Sequence, residues 1–362
     1  MKLVYFTSMR YPADNGMKIY ARELAKSFTK LLKNRFVFVV ANDTSDELTD
    51  INTFNLRLRL KKFRSPFFFF CIPYFVHRWR YEDDLVFFTN DTFLLTYFIF
   101  WKKIFRFDYR ICSDWHNVLK TKKERFIIRN SDELVTTSNG LKRDLIQLGG
   151  ATSEHICSAY GGVNLQLYAD TQKASRAELG LPKGKTIIGY IGFFKTFGLE
   201  KGIPTMIESL AHLPASCVVA CVGGKDAEIR EYTKLAASFG VQDRCFFFGV
   251  KSSTEVAQYQ MAMDIITIPY PNQPGFGYPM KVYEYMASQR PIIYSKLWLV
   301  EEVLGDCAYA FAPHDVAGFV LAVEEILADE ALASRNVERA YEKVQDYTWD
   351  RKAERIAEFL ER

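Results

Sequence analysis

Lys281 and Glu284 stand three apart in the stretch GFGYPMKVYEYMASQRPII, residues 275–293. A cation one helical turn from a carboxylate, just after a glycine-containing loop, has the chemistry of a nucleoside diphosphate site. The Lys281 ammonium and the loop amides, those of Gly277 and Tyr278 among them, would meet phosphates, and Glu284 would accept from ribose hydroxyls. If Pro279 starts a helix, positions 279, 282, 283, 286 and 287 make an apolar stripe with the spacing of a buried face. Lys281, Glu284, Tyr285 and Ser288 then share the other side. A plainer reading stands beside this one: an exposed i,i+3 ion pair contributing about 0.2–0.5 kcal/mol.

What must hold such a pair in place is a scaffold of short strands and helices in alternation. KLVYF leads into a helix with apolar positions Ala21, Leu24, Ala25, Phe28 and Leu32. FVFVV, LVFF, YRIC, ELVTT and HICSAY follow as strands. After a polar, glycine- and lysine-rich stretch at 161–185 the alternation restarts. TIIGYIG, a helix from Ile203, CVVACVGG, a helix to about Ala237, RCFFFGV, DIITIPY and PIIYS make a second series. Continuous β-branched and aromatic runs joined by helices predict parallel sheets covered on both faces. Two doubly wound α/β domains are expected, with ligands at the carboxyl ends of their strands.

The chain has 362 residues, 49% apolar and 25% charged, with a net charge of +4. That is the composition of a globular protein long enough for two domains. The mild charge and the lack of any zinc-finger, RNP or basic-zipper pattern argue against nucleic acid. Seven cysteines are scattered without a C-x-x-C, several inside strand-like runs, as reduced cytosolic cysteines are. The five histidines show no metal-ligand spacing. MKLVYFTSMRYP reads as a first strand, not a signal peptide, and no apolar run reaches the ~20 residues of a membrane span. No G-x-G-x-x-G follows the first strand, and Walker A, D-x-D and G-x-S-x-G patterns are all missing. No metal and no cofactor are expected.

The order of motifs resembles the retaining glycosyltransferases of family 4, over nearly the whole chain and most strongly from Thr186 to Tyr294. The resemblance implies the GT-B fold, two Rossmann-like doubly wound domains facing across a cleft. Residues 1–165, completed by a helix at 349–362, would form the acceptor-side domain, and residues 166–348 the nucleotide-sugar domain. YPADNGMKIYARELAKSF resembles the family's glycine loop and first helix, which places the Gly16 amides near an anion. DWHN follows the strand YRIC, and His116 is the candidate contact to the transferred sugar; a capping or core histidine is the alternative. IGYIGFFKTFGLEKGIPTMIESL resembles the segment that carries an Arg and a Lys to the diphosphate. Lys201 matches the family's Lys-Gly pair. Phe193 stands where the Arg is usual, and Lys195 is the candidate replacement, although a point charge lacks the guanidinium fork. Val250, in DRCFFFGVKSSTEVAQY, would offer backbone atoms to the nucleobase. The opening stretch resembles the family's E-x7-E segment: Glu284 matches the second Glu, Phe276 replaces the first, and Lys281 fits the members that read Pro-x-Lys.

These matches imply hexosyl transfer with retention from a UDP- or GDP-linked sugar to a saccharide or lipid-linked acceptor, in cell-surface polysaccharide or glycolipid synthesis. His116, Lys201 and Lys281 would be the catalytic set. A sugar-nucleotide epimerase or hydrolase of the same fold, or a non-catalytic partner subunit, are the rival readings. From Ile51 to Tyr81 there is no acidic residue, while Arg57, Arg59, Lys61, Lys62, Arg64, Arg78 and Arg80 surround SPFFFFCIPYFV. Basic and aromatic residues interleaved in this way suit an anionic membrane surface. That gives an expected location in the cytoplasm, peripheral on the inner face of the plasma membrane. An ordinary buried phenylalanine cluster with solvated flanking charges is the alternative.

Overall fold

Ten residues at the amino terminus, Lys2–Tyr11, form β1, and seven of the first nine are fully inside. A strand buried on both faces needs parallel neighbours and helices above and below it. The computed structural model describes all residues but 14, 59–63, 197 and 273–279, together with the side chains of 64 and 65 excepted. The chain divides into two compact units: residues Met1–Gly162 with Tyr347–Arg362, and residues Val163–Asp346. The divisions fall within three residues of those expected from the resemblance, 165 and 348.

In the first unit β1 is followed by α1 (Gly16–Leu32), β2 (Phe36–Asp43), β3 (Thr53–Asn55), α2 (Arg64–Arg78) and β4 (Leu85–Thr89). Then come α3 (Thr92–Phe105), β5 (Arg110–Trp115), α4 (Lys122–Ile128), β6 (Glu133–Thr136), α5 (Asn139–Gly149) and β7 (Ile156–Ser158). The seven strands lie in the order β3-β2-β1-β4-β5-β6-β7. All pairs are parallel. The winding reverses between β1 and β4, which is where an open parallel sheet leaves a crevice at its carboxyl edge. The closing helix, Trp349–Leu360, buries Trp349, Lys352, Ala353, Ile356, Ala357 and Leu360. That is an i, i+3, i+4, i+7 stripe, with a lysine on it. Arg110 clips this helix to the sheet by donating to the Leu360 carbonyl at 2.8 Å.

Part of the phenylalanine run is the buried cluster of the alternative reading. Phe68, Ile72, Phe75 and Val76 of α2 are core, and Phe75 meets Phe6 of β1 edge-on at 5.0 Å. The same helix leaves Phe70 70% and Tyr74 51% exposed, and α3 leaves Ile104 61% and Phe105 53% exposed. The Trp101 indole ties α2 and α3 together by donating to the Phe69 carbonyl at 2.8 Å. No helix among the described residues is long and apolar enough to cross a membrane.

The second unit begins with α6 (Leu165–Asp170) and β8 (Thr186–Ile191), then a small hairpin of β9 (Lys195–Thr196) and β10 (Leu199–Glu200). It continues through α7 (Ile203–Ser209), β11 (Cys217–Gly224), α8 (Asp226–Ser238), β12 (Cys245–Gly249), α9 (Ser253–Ala262) and β13 (Ile265–Ile268). Last come α10 (Lys281–Ala287), β14 (Ile292–Ser295), α11 (Trp298–Leu304), β15 (Tyr309–Phe311), α12 (Val316–Ala328) and α13 (Glu330–Val344). Its sheet runs β12-β11-β8-β13-β14-β15, again with every pair parallel. Here the winding reverses between β8 and β13.

One expectation for α10 is corrected. Val282, Tyr283, Met286 and Ala287 are buried as spaced, but so are Tyr285 and Ser288. The Tyr285 hydroxyl donates to the Ile191 carbonyl and accepts from the Ile191 amide, both at 3.0 Å. A helix that receives the end of a central strand this way is enclosed nearly all round. From Lys281 to Ser288, only Lys281 and Glu284 are half-exposed. The helix therefore has two polar windows and no polar face.

Candidate functional site

The residues read from the sequence fall into two groups, one on each unit. In the second unit Lys201 and Lys281 converge on Tyr270, which follows β13: their ammonium groups lie 4.9 and 5.7 Å from the centre of its ring. Lys281 reaches across the β8/β13 reversal, donating to the Ile191 carbonyl at 2.8 Å and to the Tyr190 hydroxyl at 3.1 Å. Two glycines make room for this. Gly192 has φ +143°, and a Cβ there would lie 2.0 Å from the Lys281 nitrogen. Gly202 has φ +83°, and a Cβ there would strike the Pro269 carbonyl oxygen at 1.6 Å. Each is a backbone conformation that glycine adopts without penalty, and each brings a lysine against the end of a strand.

Burial disfavours both charges. It pulls Lys281 down to about 7, with Glu284 opposing and Lys201 adding to the effect. It pulls Lys201 down to about 8, with Glu200 opposing. Burial also raises the Glu284 carboxyl, and Lys281 and Gln260 work the other way. Gln260 is fully buried and accepts from the Tyr168 hydroxyl at 2.5 Å, so the amide beside Glu284 is held from behind. Crowded cations with lowered affinity for protons favour an anionic ligand, which restores their charge on arrival.

Lys195 is held differently. Its ammonium is bidentate on Glu231 of α8, at 2.7 Å to each oxygen, so its charge is already answered inside the protein. Val250 follows β12 and is 62% exposed, at the carboxyl edge two strands from β8. Gly277 and Tyr278, and Phe276 at the place of the family's first Glu, lie outside the described residues.

In the first unit His116 follows β5 directly. Its Nε2 is 3.1 Å from Oδ2 of Asp114, and its ring meets Tyr20 of α1 edge-on at 4.3 Å. Gly16, the first residue of α1, is exposed and stands just after the Asn15 cap, whose side chain accepts from the Lys18 amide at 3.1 Å. Tyr20 thus brings the start of α1 and His116 to one end of the sheet. Asp114 is buried, which raises its carboxyl. His116 and Lys352 more than offset that, leaving it below its ordinary value. Lys352 of the closing helix is itself fully buried, 5.1 Å from the Tyr20 ring centre and bonded to the Ala159 carbonyl at 2.5 Å. Sequence reasoning missed Tyr270, Gln260, Tyr168, Asp114 and Lys352.

Residues 171–343 match the family described as glycosyl transferases group 1. The chain is 26% identical over 242 residues to a D-inositol 3-phosphate glycosyltransferase of Xylanimonas cellulosilytica, an alignment covering 64% of this chain and 57% of the relative. It is 26% identical over 218 residues to the lipopolysaccharide core biosynthesis glycosyltransferase LpsE of Rhizobium meliloti, covering 59% of each. The chain therefore spans well under two thirds of the length of these two relatives. Among solved structures it is similar to Anabaena HepE in complex with UDP, with TM-score 0.78 and 18% identity over 100% of both chains. It is also similar to WaaG, a glycosyltransferase involved in lipopolysaccharide biosynthesis, with TM-score 0.68 and 15% identity over 99% of both. At these identities the likeness is one of fold, and that fold is GT-B. The match to the group 1 glycosyl transferases lies in residues 171–343, within the second unit.

Proposed function

We propose that the protein transfers a hexosyl unit, with retention of configuration and without a metal, from a UDP- or GDP-linked sugar to a saccharide or lipid-linked acceptor. The observation that carries this reading is the convergence of Lys201 and Lys281 on Tyr270, with Glu284 one turn along α10, at the β8/β13 reversal. In this reading the two lysines meet the diphosphate and Glu284 the ribose, with Val250, Gly277 and Tyr278 beside the nucleotide. His116 contacts the transferred sugar, and the Gly16 amides lie near the phosphates. Lys195, engaged by Glu231, is set aside as a substitute for the missing Arg. HepE, similar in fold, is a complex with UDP, which supports a nucleotide donor here.

The bond from the anomeric carbon to the β-phosphate oxygen breaks as the bond to the acceptor oxygen forms on the same face. The acceptor's proton passes to the leaving phosphate oxygen. Negative charge grows on the diphosphate, and two fixed cations stabilise it where it appears. The expected place of work is the cytoplasmic face of a membrane. Supporting this are the exposed Phe70, Tyr74, Ile104 and Phe105 of α2 and α3, beside Arg78 and Lys103. Of the basic run read from the sequence, Arg59, Lys61 and Lys62 lie outside the described residues, as does the Arg64 side chain.

A panel of sugar nucleotides screened by thermal stabilisation, followed by product analysis with and without a lipid-linked saccharide, tests the reading. Stabilisation by one donor, with sugar appearing on the acceptor, is the expected result. Free sugar or an epimer released without acceptor would favour the hydrolase or epimerase instead.

A further inference from the structure

We propose that Tyr270 is a positioning residue of the diphosphate subsite, its ring being the platform that holds the Lys201 and Lys281 ammonium groups at the spacing a diphosphate bridges. The inference rests on the reading of those two lysines given above. Two cations of like sign close to one point repel each other, and something must offset that before a ligand arrives. The hydrogen bonds of Lys281 go to neutral oxygens, the Ile191 carbonyl and the Tyr190 hydroxyl. What the two lysines share is the Tyr270 ring, at 4.9 and 5.7 Å. Both distances lie within the ~6 Å over which an aromatic quadrupole attracts a cation. Tyr270 is only 4% exposed, and desolvation puts such attraction at the strong end of its range. Its backbone is pinned as well: the Ser295 hydroxyl, at the end of β14, donates to the Tyr270 carbonyl at 2.6 Å.

Among the described residues, charged and titratable groups face the pair from several elements. Glu284 and Lys201 face Lys281, the Tyr190 ring lies 4.3 Å from its ammonium, and Glu200 faces Lys201. Tyr190, Tyr270 and Tyr285 are all held in their neutral form by burial. An incoming diphosphate therefore raises the proton affinity of both lysines, and binding takes up protons. The sign follows: affinity is greatest below about 7 and falls as the pH rises through the two lysine values, about 7 and about 8. The ring favours the charged lysines, so removing it shifts this fall to lower pH.

The test is calorimetric titration with inorganic pyrophosphate across about pH 6–9, on wild type, Tyr270→Phe, Tyr270→Leu and Tyr270→Met, with folding checked by thermal melts. Tyr270→Leu and Tyr270→Met should bind about tenfold more weakly, with the pH midpoint displaced downward. Tyr270→Phe, which keeps the ring, should restore both. A purely structural tyrosine would lower affinity without moving the midpoint. If the Leu and Met variants match wild type in affinity and midpoint, or if Phe is no better than Leu, the inference is wrong. Lys201→Ala and Lys281→Ala separate the two levels. If they lose pyrophosphate while the ring variants keep it, the platform alone fails. If they bind like wild type, the diphosphate reading fails with it.

Discussion

Lys352, fully buried in the first unit, and Lys281, partly buried in the second, both lie against a tyrosine ring, yet the charges around them differ. Burial pulls Lys352 down too, to about 8, but the buried Asp114 opposes it and is itself held below its ordinary value, and Lys352 caps the Ala159 carbonyl. Asp114 in turn holds His116. Lys281 has the repulsion of Lys201 added to its burial, and its acidic neighbour Glu284 is itself pushed toward its neutral form. The first lysine finds its partner inside the fold. The second has burial and Lys201 working against its charge, and Glu284 only partly opposes them. Burial alone therefore does not separate scaffold from site; the charge balance around the buried group does.

The largest expected effect breaks the scaffold side. Lys352→Met leaves Asp114 buried with His116 and the Tyr20 hydroxyl to answer it, and should cost about 3 kcal/mol of stability, read by urea unfolding. The pair variant Asp114→Asn with Lys352→Met should recover most of that loss. A single Lys352→Met protein as stable as wild type would show that the charge has no structural role.

Lys281 should behave in the opposite way. Lys281→Met removes a charge that burial disfavours, so stability should hold or rise. Turnover at saturating donor should fall about a hundredfold, ~3 kcal/mol in the barrier. The pH dependence sharpens the contrast. A lysine whose folded value is lowered costs the folded state while it is charged, and that cost disappears as the pH rises from the folded value to the unfolded one. Wild type should therefore gain stability on Lys281→Met between about 7 and 10.5, whereas the variant should lack that part of the gain. Parallel unfolding curves for the two proteins over this range would refute the assignment.

Much of this arrangement was legible in the residues. The alternation of apolar runs predicted both sheets, and the Lys-x-x-Glu spacing picked out Lys281 and Glu284. The strands that escaped, β3, the β9/β10 hairpin and β15, are two or three residues long, too short to show a period. Tyr270 escaped because an aromatic residue at the end of an apolar strand looks like core, and by burial it is core. Lys352 carried a signal that went unread. It sits at the i+3 position of the stripe Trp349, Ala353, Ile356, where only an apolar side chain or an answered charge is stable.

Glu284→Gln should be milder. The fold keeps its shape because the Tyr168–Gln260 pair remains, but a charge-assisted hydrogen bond to the ribose is lost, so UDP or GDP should bind about 1.5–3 kcal/mol more weakly. Inorganic pyrophosphate, which has no ribose, should bind as before. Equal losses for nucleotide and pyrophosphate in calorimetry would mean that Glu284 acts on the lysines and not on the sugar.

The smallest effect carries the same comparison to the surface of α3. Lys102 and Lys103 are adjacent, but Lys102 is bidentate on Asp132 at 2.7 Å to each oxygen. Lys103 is exposed, with its ammonium 5.7 Å from the Phe126 ring centre and Ile104 and Phe105 beside it. If this face meets an anionic bilayer, a lysine whose charge is answered within the protein adds little, and one that is not adds ~1 kcal/mol near the surface. Lys103→Ala should thus weaken sedimentation with phosphatidylserine-containing vesicles by roughly fivefold, and Lys102→Ala by less. Both differences should shrink as salt shortens the Debye length from ~10 Å at 0.1 M. Equal losses for the two variants would remove the distinction between answered and unanswered charge. Wild-type protein that ignored such vesicles at low salt would remove the membrane reading, leaving the exposed rings of α2 and α3 to another partner.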